Sequence, residues 1–400
     1  MVPWGTGIPD WTRLAGEGLD LPGIQAVLLS RGSSEMEHSG VEGLNWECCG
    51  LYMVRVNGGG IRAEEPVPPS RSVTAPLNWL DPWRCPLDVP GDRVEGVIVN
   101  PLGWRPLTPR LGVQGTSCIE AGGIKVGLLH LEPLGMGSPS KCITARPEGR
   151  VDSFRMGHHR VWHDGRIWSH GTVSIIVGPS GIVAGSRGSL ISEPGGGLAV
   201  DLGFYDYDVY ILYPLHYRLL DRVRRGDRIE VEALSIHLKG PGGGLGLSSP
   251  WGLKATLYPG RVEVEAKNLA LITGSESLAY RALLEQVVSW RPVKAPSGGL
   301  GHLRPGPGAP LLLDSCGNEL VFLVQNPSLR DGIFEARIRA PVSRVVVESP
   351  LGSIEVPAPG GLFRVPAPRG YVGIARVRLG RGLLVRLRKS GGPGRIIQPV

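Results

Sequence analysis

Apolar and polar residues alternate in short runs along most of this chain, and glycine and proline cut the runs apart. GDRIEVEAL (226–234) and PGRVEVEAK (259–267) alternate almost identically and each predicts a half-buried strand. They could form a degenerate repeat, but two independently alternating strands account for them as well. Residues 157–202 predict a four-stranded meander. Its strands are HHRVWH, RIWSHGTVSIIVG, GIVAGS and GLAVDLG, separated by DG, PSG and PGGG turns. Helical periodicity is rare. TGSESLAYRALLEQVVSW predicts a helix, with Thr273 and Glu276 fitting a capping box and Leu284, Val287 and Val288 on one face. PLHYRLLDRV, with Pro214 in its first turn, predicts a shorter one.

This pattern predicts an all-β chain. Residues 1–290 read as a β-propeller-like body of four-stranded antiparallel blades, since four short strands in about 45 residues is the size of one blade. Residues 291–310 read as a Pro/Gly-rich linker. Residues 311–400 read as a β-sandwich-like or closing-blade region with a basic tail. Stacked β-sandwiches are the alternative architecture.

Composition supports a folded chain: 42% of residues are hydrophobic and 20% charged, so 60 glycines and 36 prolines mark turns rather than disorder. The net charge of +7 is uneven. Nine basic residues and no acid lie between Gly360 and Val400, leaving the remainder near −2. MVPWGTGIPDW has no basic segment followed by an apolar one, and no apolar run is long enough to span a membrane. The expected location is cytoplasmic, with no membrane partner. The six cysteines include no CxxC pair, which argues against a structural zinc site and leaves disulfide pairing open. The chain holds no GxxxxGK[ST] and no HExxH. AGSRG (184–188) lacks the first glycine and the following helix of a nucleophile elbow, so Ser186 reads as a turn residue, and GPGGGLG (240–246) reads as a surface loop. No cofactor is expected.

RMGHHRVWHDGRIWSHG (155–171) carries four of the nine histidines. If Asp164-Gly165 makes a two-residue turn, His159 and His170 face each other across a hairpin, His163 lies roughly 13 Å away along the strand and His158 points to the other side. A four-histidine metal site is then excluded, and His159 with His170 is the only candidate metal pair, short of a third ligand. The competing reading is a half-exposed sheet face with Trp162 and Ile167 in the core.

GFYDYDVYIL (203–212) is the second candidate. In an extended strand Asp206 and Asp208 share one face, and Tyr205 and Tyr207 the other. Paired carboxylates beside aromatic rings suit glycan binding or glycoside hydrolysis, although two carboxylates on one strand more often form a solvated rim. Trp168, Tyr205 and Tyr207 are the candidate ligand-binding aromatics. Eight of the ten tryptophans precede residue 171, where core packing competes with a ligand platform. Arg376, Arg378, Arg386 and Arg388 flank a GRG turn and form a candidate anion-binding face. No aromatics interleave with them, so single-stranded nucleic acid is a lesser reading than a solvated arginine face.

Three stretches, NWECCGLYMVRVNGGG (45–60), GIVAGSRGSLISEPGGGLAVDLGFYDY (181–207) and VVVESPLGSIEVPAPGGLFRVPAP (345–368), resemble a family of uncharacterised archaeal proteins with propeller-like, mostly β folds. The resemblance implies the propeller architecture and, with it, an archaeal, thermophilic source. It carries over no catalytic residue. Two functions follow as expectations. The first is a non-enzymatic binding or scaffold protein using a propeller face toward an unknown protein or glycan. The alternative is a carbohydrate-active hydrolase in which Asp206, Asp208, His159 and His170 share one cleft.

Overall fold

The computed structural model describes residues 54–57, 60–63, 82–83 and 92–380, apart from 187, 195–196, 214–215, 305–309, 327–330, 350–351 and 368–371. Trp4, Trp11, Trp46, Trp79, Cys48, Cys49, Cys85, Arg386, Arg388 and most of the 45–60 stretch lie outside the described residues. The chain is all-β, with a single α-helix among the described residues, and that helix is too short to cross a membrane. Among the described residues the strands do not sort into repeated four-stranded blades. The largest sheet has twelve strands and closes on itself.

β1 (Val54–Asn57) and β2 (Gly60–Ala63) form a hairpin. β3 (Arg93–Val99) comes next, then β4 (Arg110–Leu111), β5 (Ser117–Ala121) and β6 (Ile124–Leu128). β7 (Met136–Gly137) returns to pair with β3, and β8 (Cys142–Thr144) completes a small sheet in the order β4-β6-β5-β8. β5 and β8 run parallel there, and a disulfide joins Cys118 to Cys142 at a directly opposed pair.

Twelve strands then make the large sheet: β9 (Arg146–Met156), β10 (His159–His170), β11 (Val173–Gly178), β12 (Gly181–Ser186), β13 (Ser189–Pro194), β14 (Leu198–Asp201), β15 (Tyr207–Tyr213), β16 (His216–Val223), β17 (Ile229–Gly240), β18 (Gly243–Tyr258), β19 (Arg261–Ala266) and β20 (Leu269–Thr273). Pairing runs β18, β19, β14, β10, β11, β12, β13, β20 and back to β18, which closes an eight-stranded antiparallel barrel. β17, β15 and β16 extend the sheet beyond β18, and β9 lies along β10. Alternate residues fill the interior, among them Val161, Ile176, Leu190, Val200, Leu247 and Val264. Of PLHYRLLDRV, Pro214 and Leu215 lie outside the described residues, and His216–Val223 is a strand, not a helix: it pairs with β15, and that pairing overrides a weak local preference. The capping box also fails. Thr273 ends β20 and its hydroxyl donates to the Gly188 carbonyl at 3.1 Å.

Register shifts interrupt β10 between Trp162 and Gly165, and β17 between Ala233 and Ser235, while β19 and β20 follow each other along the same edge of β18. This corrects the hairpin expected at Asp164-Gly165. β10 passes straight through that dipeptide, and the turn falls at Gly157-His158. The glycine is needed for space: a Cβ on Gly165 would lie 2.6 Å from the Val177 carbonyl oxygen, and one on Gly178 would lie 1.8 Å from that of Asp164. Two backbones cross too closely there for any side chain.

α1 (Glu276–Val287) lies against the outside of the barrel and is buried on nearly every side. A Cβ on Gly246 of β18 would come within 2.4 Å of the Ala279 Cβ, so the GPGGGLG segment supplies a seat for the helix, where a surface loop was expected. One core joins Ala279, Leu283 and Val287 of α1 to Ala270 and Ile272 of the barrel, to Leu102 and Trp104, and to Leu311 and Val321 further along the chain.

The remaining strands are β21 (Val293–Pro296), β22 (Gly301–Leu303), β23 (Leu311–Cys316), β24 (Glu319–Gln325), β25 (Gly332–Ile338), β26 (Val342–Ser349), β27 (Gly352–Glu355), β28 (Leu362–Ala367) and β29 (Val372–Leu379). A three-stranded sheet, β22-β25-β28, faces a five-stranded one, β23-β24-β29-β26-β27. Phe334 sits between Phe322 and Phe363, at 5.9 and 5.7 Å, in the shared core. The segment expected to be a linker is structured in part. β21 pairs with β3, Val293 opposite Val97, and Val97 and Val99 join this same core.

Candidate functional site

A cleft of about 430 Å³ opens where the small outer sheet, the barrel wall and the exit of α1 meet. Its walls come from five separate segments. β4 and the loop after it give Arg110, Leu111, Val113 and Gln114. Pro139 precedes β8. Ile191 and Glu193 come from β13, and Asn268 from the corner between β19 and β20. Gln286, Val288 and Trp290 come from α1 and its exit. The outer sheet reaches this position because Ile119, Ala121 and Val126 pack on Val173, Ile175, Ala184 and Ile191 of the barrel's outer face. The surface is largely apolar with a few polar groups, the usual make-up of a small-ligand pocket.

A buried charged network lies beneath the cleft. Glu285 is fully buried. Its carboxylate accepts hydrogen bonds from Trp104 Nε1 (2.8 Å), Leu107 N (2.8 Å), Thr108 N (3.1 Å) and Thr108 Oγ1 (2.8 Å). Arg110 lies 3.9 Å from Glu285 Oε2, donates to the Glu285 carbonyl and stacks over the Trp290 ring, 5.6 Å from its centroid. Arg281 covers Trp104 at 5.3 Å. Burial pulls both guanidinium pKa values down to about 10, against the upward pull of Glu285, so both stay charged at neutral pH. Trp290 Nε1 donates to the Glu285 carbonyl at 3.0 Å, which fixes the ring at the cleft's edge. Reading the sequence for motifs misses all of these residues. The one available signal is the polar pair Glu285-Gln286 inside an apolar helical run.

The residues expected to act chemically are mostly dispersed. His159 and His170 stand at opposite ends of one strand, on the order of 35 Å apart at strand rise, so the facing pair does not exist. Among the described residues, no group of three or more His, Cys, Asp or Glu side chains could hold a metal ion. His159 faces inward and donates from Nδ1 to the Leu202 carbonyl at 2.9 Å, and His163 contacts the Gly181 carbonyl through Nε2 at 3.2 Å. His170 is exposed. Trp168 is wall material: it packs under the Gly122 turn and carries Arg166 on its face at 5.5 Å. Tyr205 and Tyr207 do not share a face, because the extended strand begins only at Tyr207. Tyr207 is buried and donates to the Tyr258 carbonyl at 2.9 Å, whereas Tyr205 is 73% exposed. Asp206 and Asp208 do line one hollow, but with Arg222, Arg224, Arg225 and Lys239, and Asp208 is held by Arg222 at 2.5 Å. Arg376 is clamped between Glu348 (3.3 Å) and Glu319 (3.7 Å), so it is no open anion site; Arg378 is exposed.

Burial pushes the His159 and His163 imidazoles below the usual histidine range, against the pull of the carbonyls they meet. An unfolded histidine binds its proton near pH 6.5. The native barrel refuses that proton until the pH is lower. Stability is therefore complete above about pH 6.5, declines as the pH falls, and levels off only below the native values. Urea midpoints between pH 7.5 and 5 should decline in this way, with a shallower decline in His163→Leu. A midpoint that stays flat from 6.5 to 5 would rule the effect out.

No protein-family model matches this chain, and no curated protein matches it either.

Proposed function

We propose that this chain is a non-enzymatic binding protein whose ligand site is the cleft at Arg110, Ile191, Gln286 and Trp290. One observation carries the reading. A preformed, mostly apolar cleft with an anchored tryptophan at its edge stands at the three-way junction of the fold, and among the described residues no nucleophile with a neighbouring base lines it. The hydrolase alternative has no such support, because its two histidines and two aspartates do not converge. The ligand that suits the cleft is small and predominantly apolar, with a flat group to lie against Trp290 and a polar group to meet Arg110 or Glu193.

A thermal-shift screen of small aromatic and aliphatic compounds tests this. A true ligand at about 100-fold its Kd stabilises the fold by about 2.7 kcal/mol. Val113→Trp, which fills the mouth, should abolish the shift while leaving the ligand-free Tm within a degree or two. A screen without hits, or hits that survive Val113→Trp, would remove the cleft from consideration.

A further inference from the structure

We infer that the hollow at the β15–β16–β17 end of the large sheet is a second site, which takes a ligand carrying phosphoryl or sulfate groups. It is independent of the cleft. The hollow measures about 600 Å³ and is lined by Arg222, Arg224, Arg225, Lys239, Asp206 and Asp208. Strand register sets the first part of it: Asp208 on β15 stands opposite Arg222 on β16 and opposite Lys239 on β17. Asp208 binds Arg222 at 2.5 Å and so fixes one guanidinium at the wall.

The turn after β16 supplies the rest. It is closed by Asp227 N donating to the Arg224 carbonyl (3.0 Å) and Arg224 N donating to Asp227 Oδ2 (2.8 Å). That closure holds Arg224 and Arg225 at the rim. Among the described residues, neither arginine nor Lys239 has an ion-pair partner. Elsewhere on the surface arginines are commonly engaged, as Arg261 is by Glu263, Arg344 by Glu355 and Arg364 by Glu335.

Four cations against two carboxylates leave two positive charges uncompensated within one concave surface. Such a surface concentrates anions, and guanidinium groups match the oxygens of phosphoryl and sulfate groups two at a time. Asp206 opposes the ligand and limits its affinity; Asp208 does not, because Arg222 neutralises it.

Isothermal titration of the full chain at about 50 mM salt, with sodium tripolyphosphate and separately with a sulfated heparin tetrasaccharide, tests the inference. At least one probe should bind with a sub-millimolar Kd that weakens steeply with added salt, as screened charge attraction requires. Arg224→Ala with Arg225→Ala should weaken that probe about tenfold or more, a loss of about 1.4 kcal/mol. Asp206→Asn should tighten it by a few fold. Arg378→Ala, an exposed arginine elsewhere, should change nothing. Preference for tripolyphosphate assigns phosphoryl ligands and preference for the tetrasaccharide assigns sulfated glycans; either supports the site. The inference falls if neither probe binds with a Kd below about 1 mM, or if the double variant, folded by circular dichroism, binds as well as the parent.

Discussion

Glu285→Gln is expected to destabilise the chain by about 3–5 kcal/mol, the typical consequence of breaking a buried ion pair from one side. The carboxylate accepts four hydrogen bonds and is the negative group between Arg110 and Arg281. A carboxamide has the same shape but only one accepting atom. Its NH₂ would point at donors already in place, and two guanidinium groups would keep their charge without the anion that offsets it. The same side chain ties the 104–110 segment to α1, so the loss should also be felt in the cleft. Urea denaturation would show it as a lower midpoint with an unchanged slope. A change under about 1 kcal/mol would mean that water or another group takes over the carboxylate's role.

Removing the Cys118–Cys142 disulfide should have the next largest effect, about 3 kcal/mol, from the chain entropy of closing a loop with a sequence separation of 24. The bond fixes β8 to β5 in a sheet of only four short strands, and Pro139 of the cleft wall lies just ahead of β8. Reductant should therefore lower the urea midpoint of the parent chain but not of the Cys118→Ser, Cys142→Ser variant, which should start at the lower value. Equal midpoints for the parent with and without reductant would show that the small sheet is held by its packing on Ile175 and Ile191 alone.

Local chemistry was readable where local and global preferences agree. The alternation in 226–234 and 259–267 marks β17 and β19, and the apolar spacing of Leu284, Val287 and Val288 marks α1. Asp164-Gly165 shows the limit. A glycine that permits a turn and a glycine that permits two backbones to cross look the same in one sequence, and only the position of Gly178 distinguishes them. Barrel closure was not readable either, since it depends on Ser189 meeting Ile272 across the interior of the chain. The candidate cleft was hidden for the same reason: its lining residues are scattered from Arg110 to Pro292, and none belongs to a motif. Asp206 and Asp208 line one hollow, but their arginine neighbours arrive from elsewhere: Arg222 by strand pairing, Arg224 and Arg225 from the turn after β16.

The pairing of β3 with β21 has a consequence for how the chain is made. Val97 finds Val293 only after roughly 200 further residues have been synthesised, about 10–40 s at ordinary translation rates. During that interval β3 can pair on one edge only, with β7 through Ile98 opposite Gly137 and Val99 opposite Met136, while the edge that takes β21 stays open. The open edge begins with exposed charged residues, Arg93 and Glu95, and Glu95 gains its partner, Lys294, only when β21 arrives.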